Sequence, residues 1–249
     1  MPRAGALDGP AAALANRLVG NPLESAVLET TMGGVSFETT AALTLAVTGA
    51  ACPVLVDGHA AAWGEAITVR AGSRVVVGPA TSGVRSYVAL SGGIVVDQVL
   101  GSRSTDTLAY VGPPLLHGGD VLPVGLPFDV PSEGVAVPRA GPVVLRYLPG
   151  PRDSWFTELP RGRYTVTGES NRVGLRLSGT SLTRARAGEL PSEGIVLGAI
   201  QVPADGQPLV FLNDHPTTGG YPVVGVVLAE DLPQCAQLRP GDLVSLRPV

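Results

Sequence analysis

Two polar runs contain the residue types that could do chemistry. The first, at 101–106, reads Gly-Ser-Arg-Ser-Thr-Asp, and the second, at 214–222, reads Asp-His-Pro-Thr-Thr-Gly-Gly-Tyr-Pro. Hydroxyl groups, together with backbone N–H groups that glycine leaves accessible, can hold an anion or a carbonyl oxygen. The two runs therefore indicate a site for a small molecule that has an anionic or carbonyl group.

Arg103 is the main candidate of the first run. Its guanidinium could bind a carboxylate or a phosphate through two hydrogen bonds, with the Ser104 hydroxyl beside it. Arg172, which follows a serine and an asparagine, is a second candidate of the same kind. The alternative for both is an exposed arginine in an ordinary surface turn, with Asp106 capping the first turn.

The second run and the stretch before it contain candidates for acid–base and carbonyl chemistry. Glu193 could act as a general base or orient a substrate amine, and Gln201 could donate a hydrogen bond to a carbonyl. The residues at 217–220, Thr-Thr-Gly-Gly, could form a nest for an oxyanion. Asp214 and His215 could cooperate only within a turn, because adjacent side chains on a strand point to opposite faces.

Composition excludes several classes of function. All 17 basic residues are arginine, so the chain has no lysine for a P-loop, a Schiff base, biotin attachment or a Ser-Ser-Lys amidase. The net charge of -4 gives no reason to expect nucleic acid. Three dispersed histidines and two distant cysteines show no metal-ligand spacing. We see no membrane-length apolar run and no signal peptide, so we expect a cytoplasmic protein with free, buried thiols.

The elements that must position these residues are short strands. With 33 glycines, 23 prolines and only 4% aromatic residues, the sequence favours strands separated by tight turns, hence an all-β fold. One helix is predicted from Ala11 to Val19, capped by Asp8, and a second, short one at 231–237. Strands are predicted at 27–30, 35–39, 43–48, 53–56, 67–70, 74–77, 87–90, 143–148, 164–167, 175–177, 194–201, 209–212, 223–228 and 243–246.

The two halves of the chain end alike. Residues 116–122, Leu-His-Gly-Gly-Asp-Val-Leu, parallel residues 238–244, Leu-Arg-Pro-Gly-Asp-Leu-Val. A Pro- and Gly-rich stretch without apolar periodicity lies between the halves. We therefore predict two similar barrels, at 1–127 and 143–249, joined by a linker at 128–142.

Several of these motifs, in this order, resemble one known family. They are the segments 5–8, 15–21, 28–29, 100–106, 189–194, 198–203 and 217–222. The family is allophanate hydrolase subunit 2, also called KipA or 5-oxoprolinase subunit PxpC, and it is similar to the C-terminal half of the urea carboxylase carboxyltransferase domain. The resemblance spans essentially the whole chain and implies two cyclophilin-like β-barrels with one or two short helices. Family members usually carry an extra strand and a Gln-Asp-x-Gly-Arg segment before the first motif, so we expect an open edge in the first barrel.

The resemblance also implies a function. It suggests a subunit of an ATP-dependent 5-oxoprolinase, active only with a KipI/PxpB-type partner (allophanate hydrolase subunit 1) and a PxpA-type subunit. ATP would be used by the complex, and neither biotin attached to this chain nor a metal is expected. The alternatives are the carboxyltransferase half of a urea carboxylase/allophanate-type system and a non-catalytic regulator that binds KipI.

Motif position and residue chemistry together give the expected roles. Catalytic roles are expected for Glu193, Asp214, Thr217 and Thr218, and substrate-binding roles for Arg103, Ser104, Arg172, Gln201, Gly219, Gly220 and Tyr221.

Overall fold

Strands dominate the computed structural model, which describes residues 4–137, 141–188 and 190–249. Three helical segments occur among them: Gly9–Leu18 (α1), Leu232–Cys235 (α2) and a 3₁₀ turn at Asp153–Trp155. The strands are Leu28–Thr31 (β1), Val35–Glu38 (β2), Leu43–Ala51 (β3), Val54–Val56 (β4), His59–Ala61 (β5), Ala66–Val69 (β6), Arg74–Val77 (β7), Ser82–Leu90 (β8), Val143–Pro149 (β9), Gly162–Val166 (β10), Gly174–Ser178 (β11), Glu193–Gly194 (β12), Ala199–Gln201 (β13), Leu209–Phe211 (β14), Thr218–Gly219 (β15), Val223–Val227 (β16) and Leu243–Pro248 (β17). The prediction of an all-β fold with one or two short helices is confirmed. No helix in the described ranges is long and apolar enough to cross a membrane.

Helix α1 forms for the reasons that the sequence predicts. Asp8 Oδ1 accepts a hydrogen bond from the backbone N–H of Ala11 at 3.2 Å, and proline occupies the first turn. Gly20 ends the helix with a φ of 74°, a left-handed conformation that favours glycine. The helix packs on β3, where the Thr48 hydroxyl donates to the Ala11 carbonyl at 2.7 Å.

The chain divides into two compact units. One, which we call the barrel unit, contains residues 4–7, 100–112 and 141–249 of the described chain, and the other, the sheet unit, contains 8–99 and 113–137. This division differs from the expected halves, because residues 4–7 and the first polar run belong with the second-half barrel. Of the expected linker, 128–137 lies in the sheet unit, while Pro138, Arg139 and Ala140 lie outside the described residues, as does Glu189 of the resemblance motifs.

The sheet unit consists of two antiparallel four-stranded sheets. Their strand orders are β1-β8-β3-β6 and β2-β7-β4-β5. Apolar residues of both sheets, among them Leu45, Val75 and Val88, share one buried core. Each sheet is open, with an outer strand on either side. The sheet unit therefore buries its core by packing the two sheets face to face.

The barrel unit is a closed barrel of seven strands in the order β10-β11-β14-β13-β16-β9-β17. All neighbouring strands are antiparallel except β9 and β17, which pair in parallel. The interior is filled by buried side chains such as Leu145, Tyr147 and Ile200. A register shift between Ile200 and Gln201 interrupts the pairing of β13 with β16, and such irregularities redirect side chains next to functional sites. A separate two-stranded ribbon is formed by β12 and β15.

Candidate functional site

The ribbon of β12 and β15 gathers one group of the predicted residues. Glu193 lies directly opposite Gly219 in this antiparallel pair, and Gly194 lies opposite Thr218. On the far side of the loop, Gln201 Nε2 donates to the backbone carbonyl of Tyr221 at 3.0 Å. The second polar run is thereby held between the ribbon and barrel strand β13. These residues form the ribbon cluster: Glu193, Gln201, Thr217, Thr218, Gly219, Gly220 and Tyr221.

Glycine is required at position 219 because the Gln201 amide approaches its backbone closely. A Cβ placed on Gly219 would lie 2.9 Å from Gln201 Nε2 and 3.3 Å from Ile195 Cδ1. The Gln201 side chain is buried, whereas Thr217 and Thr218 are exposed. The cluster thus combines a buried amide with hydroxyl groups that solvent can reach.

Arg152 belongs to the same cluster, although no sequence motif points to it. Its Nη2 donates to Glu193 Oε1, and its Nε donates to Oε2 at 3.2 Å. This hydrogen bonding holds the pKa of Glu193 below its usual value. While it is paired, Glu193 is therefore a weaker base than an ordinary glutamate. The two residues are 41 positions apart and no local motif links them, which explains why sequence reasoning missed Arg152.

Arg172 and Asp214 form a second group, within the barrel unit. Arg172 donates to both carboxylate oxygens of Asp214, from Nε at 2.9 Å and from Nη2 at 3.0 Å. Nη2 also donates to the carbonyl of Gly5 at 2.8 Å. Thr107 donates to Asp214 Oδ2 from its backbone N–H at 2.9 Å and from its hydroxyl at 2.7 Å. Asp214 thus receives the two-pronged contact of Arg172 that the sequence predicted for a substrate anion.

The first polar run adopts the turn that the sequence analysis named as the alternative. Asp106 is buried, and its Oδ1 accepts from the backbone N–H groups of Leu108 at 2.8 Å and Ala109 at 2.9 Å. Arg103 is exposed and Ser104 is half-buried, on the segment that Thr107 ties to Asp214. The candidate residues therefore fall into the ribbon cluster and a second cluster, in which Thr107 links the chain segment of Arg103 and Ser104 to the Arg172–Asp214 pair.

Asp214 and His215 do not form a carboxylate–imidazole pair. His215 Nδ1 lies 2.8 Å from the Pro216 carbonyl, and its ring packs on Phe211 with centroids 6.3 Å apart. Since a carbonyl can only accept, Nδ1 carries the proton in this contact. In the described part of the chain, no group of three or more His, Cys, Asp or Glu side chains could hold a metal ion.

Comparison with known proteins gives consistent matches over the whole chain. Residues 1–248 match the family described as "Carboxyltransferase domain, subdomain A and B". The C subunit of the 5-oxoprolinase of Escherichia coli K12 is 38% identical over 247 residues, which cover 95% of this chain and 79% of that protein. A crystal structure of TTHA0988 has a TM-score of 0.86 at 36% identity, covering 99% of this chain and 50% of that one. The Kluyveromyces lactis urea amidolyase structure has a TM-score of 0.87 at 27% identity, covering 100% of this chain and 17% of that one. The chain thus spans about half the length of TTHA0988 and a much smaller share of the amidolyase.

Proposed function

This chain belongs to the family of carboxyltransferase domains with subdomains A and B, and we propose that it acts as the PxpC-type subunit of an ATP-dependent 5-oxoprolinase. The observation that carries the proposal is the 38% identity to the E. coli protein, along 79% of that protein. The reaction opens the cyclic amide of 5-oxoproline to give glutamate. The chain is therefore one part of an enzyme that hydrolyses a carbon–nitrogen bond.

In this proposal the chain supplies part of a shared site. A KipI/PxpB-type subunit joins it, and the pair uses ATP to phosphorylate the lactam oxygen. One water then attacks the activated carbon within the complex, with a PxpA-type subunit present, and the C–N bond breaks to leave an acyl phosphate and the free amine. A second water hydrolyses the acyl phosphate, so that phosphate and glutamate are released. The chain has no lysine of its own for nucleotide binding, which is why we place the use of ATP in the complex. We propose that the complex is cytoplasmic.

The ribbon cluster suits the amide end of such a substrate. Gln201 hydrogen-bonds the lactam, while the hydroxyls of Thr217 and Thr218 stabilise developing negative charge. In this proposal the N–H groups of Gly219 and Gly220 serve the same purpose.

The remaining candidates act around this centre. Tyr221 is half-exposed beside the cluster, and Glu193 orients the amide or accepts a proton. Arg103 and Ser104 bind carboxylate or phosphoryl oxygens. Arg172 and Asp214 bind each other, and their part in the proposal is to hold the second cluster in place.

A carboxyltransferase role is the second candidate. The specific observation in its favour is the likeness to the K. lactis urea amidolyase, with a TM-score of 0.87. Such a role needs carboxybiotin on another chain, because this one has no lysine to carry biotin. Biotin would then appear on a protein that co-purifies with the chain.

Reconstitution tests the proposal. The chain is co-purified with a KipI-like protein, a PxpA-like protein is added, and glutamate release from 5-oxoproline is measured with and without ATP. We expect release only when all components and ATP are present. No ATP-dependent glutamate would contradict the proposal, and a biotinylated partner on a streptavidin blot would favour the carboxyltransferase role.

Arg103→Ala separates an enzymatic role from a purely regulatory one. Loss of a charge-assisted anion contact costs about 2 kcal/mol, which corresponds to a roughly 30-fold lower kcat/KM in the complex. The matched control is Arg186→Ala, which removes another exposed arginine of the barrel unit and should leave kcat/KM within about twofold. A regulator that acts only by binding its partner would keep its effect in both variants.

A further inference from the structure

Arg152 offers a two-pronged site for a carboxylate at the edge of the ribbon cluster. Its Nε and Nη2 bind both carboxylate oxygens of Glu193, and both side chains are 34% exposed. The backbone N–H of Arg152 donates to the Val223 carbonyl at 3.1 Å, so its position is anchored to β16. An exposed ion pair contributes little net stability, because water competes for both partners. An incoming carboxylate that presents the same planar pair of oxygens can therefore replace Glu193 with few hydrogen bonds lost.

The Glu193 carboxylate and the Gln201 amide lie on the same face of the ribbon. Residues that are directly opposite in an antiparallel pair project to the same face, and Glu193 is opposite Gly219. The Cβ direction at Gly219 points towards Gln201 Nε2, at 2.9 Å, and Ile195 Cδ1, at 3.3 Å. Ile195 follows Glu193 by two positions, which is the spacing for one face of an extended strand. Gly219 thus lets the Gln201 amide lie against the ribbon backbone, on the face to which the Glu193 carboxylate projects.

Gln201 can hold a lactam on the same face of the ribbon. One of its N–H groups is used by the Tyr221 carbonyl, at 3.0 Å. A primary amide also has a second N–H and an acceptor oxygen, and a lactam presents a carbonyl and an N–H side by side. Directly opposed residues in such a ribbon have Cβ positions about 5 Å apart, so the Glu193 side chain and the amide beside Gly219 are neighbours on this face.

We infer that Arg152 binds the carboxylate of a small lactam acid, with Gln201 on the lactam, and that Glu193 occupies the arginine until the substrate displaces it. This inference rests on the proposed function, whose substrate 5-oxoproline has both groups. Displacement releases the Glu193 carboxylate from the hydrogen bonds that hold its pKa low. The released carboxylate then stands beside the bound lactam as a stronger base.

The experiment measures ligand affinity in the reconstituted complex without ATP, by calorimetry. In Arg152→Gln we expect the Kd of 5-oxoproline to rise at least tenfold. Arg152→Lys keeps the positive charge but not the two parallel N–H donors of the guanidinium, so we expect a smaller rise. In Glu193→Gln, where the resident carboxylate is gone, we expect the Kd to fall severalfold. The inhibition constant of 2-pyrrolidinone, the same lactam without a carboxylate, should stay within about twofold in Arg152→Gln.

The matched control is Arg176→Gln, an exposed arginine of the barrel unit that lies 3.7 Å from the carboxylate of Glu169. It should leave both affinities unchanged. A wild-type Kd for 5-oxoproline in Arg152→Gln, or equal losses for 5-oxoproline and 2-pyrrolidinone, would overturn the inference. If Arg152→Gln does not fold, the Glu193→Gln variant decides. An unchanged or weaker affinity of Glu193→Gln for 5-oxoproline would count against the inference. Glutamate release by the wild-type complex is measured separately. The inference about Arg152 can therefore fail while the proposed function is still supported.

Discussion

At the scale of single residues, Asp214 shows how the barrel unit handles a buried charge. Its carboxylate has no exposed surface, and it receives hydrogen bonds from Arg172 and from both the backbone and the hydroxyl of Thr107. Burying a carboxylate is expensive unless the charge is paired and its oxygens are hydrogen-bonded. Each of these three residues therefore depends on the others.

Asp214→Asn should destabilise the protein by about 3–5 kcal/mol, because it breaks a buried ion pair and puts a neutral amide where the carboxylate accepts from Arg172 and Thr107. The free energy of unfolding in urea measures this effect. Glu158→Gln, which neutralises an exposed carboxylate of the same unit, should change it by about 0.5 kcal/mol or less. If both variants have similar stability, the pair does not support the fold.

Sequence reasoning could identify such residues but not their partners. Arg172, Asp214 and Glu193 stand out from the sequence because charged groups are scarce in it. Their partners are 41 to 107 residues away, and nothing local encodes these distances. The sequence consequently predicts that Arg172 holds a substrate anion, although in the structure it holds Asp214.

At the scale of elements, the ribbon of β12 and β15 is the part that the sequence describes least well. Each strand has only two residues, too few for any alternation of apolar and polar positions. Helix α1, in contrast, was predictable because a capping aspartate and a first-turn proline act locally. Local signals thus predict elements that form from nearby residues, whereas the ribbon makes contacts with residues distant in the sequence, such as Arg152.

The similar ends of the two halves share one turn chemistry. In both turns an aspartate accepts from the backbone N–H three residues earlier, His117 to Asp120 at 2.7 Å and Arg239 to Asp242 at 2.8 Å. The second turn leads into β17, as expected. After the first, only Val124 pairs, in a single bridge with Ile94. The turn chemistry is thus repeated, but the strand that follows depends on the neighbours it finds.

Gly219→Ala tests whether the ribbon must stay close to the Gln201 amide. The added Cβ would lie 2.9 Å from Nε2, so either the amide or the ribbon must move, at a cost of about 1–3 kcal/mol. We expect lower stability in thermal unfolding and a lower kcat/KM in the complex. Gly194→Ala is the matched control in the same ribbon, since its Cβ would meet nothing within 4 Å. Equal behaviour of the two variants would show that the close approach is unimportant.

At the scale of the whole molecule, the barrel unit is assembled from three stretches of the chain. Leu7 is part of its buried core, and Thr107 supplies hydrogen bonds to its buried carboxylate. A cut placed by sequence at the Pro- and Gly-rich stretch would therefore remove parts of the barrel unit along with the sheet unit.

A fragment of residues 141–249 should accordingly lack a cooperative unfolding transition. Without Thr107, Asp214 and Arg172 lose part of their shared hydrogen bonding, and without Leu7 the core is exposed. Near-ultraviolet circular dichroism during urea titration measures the transition. Adding residues 100–112 through a flexible Gly/Ser linker should recover part of it. A bare fragment as stable as the full chain would contradict this expectation.

The anchoring of Gly5 has a consequence for the order of events during synthesis. Its carbonyl accepts from Arg172 and from Asn213, which follow it by 167 and 208 residues. At ribosomal rates of about 5–20 residues per second, Gly5 waits on the order of ten seconds or longer for these partners. A segment made long before the barrel strands is thus among the last to reach its final contacts, and until then Leu7 has no barrel core to enter.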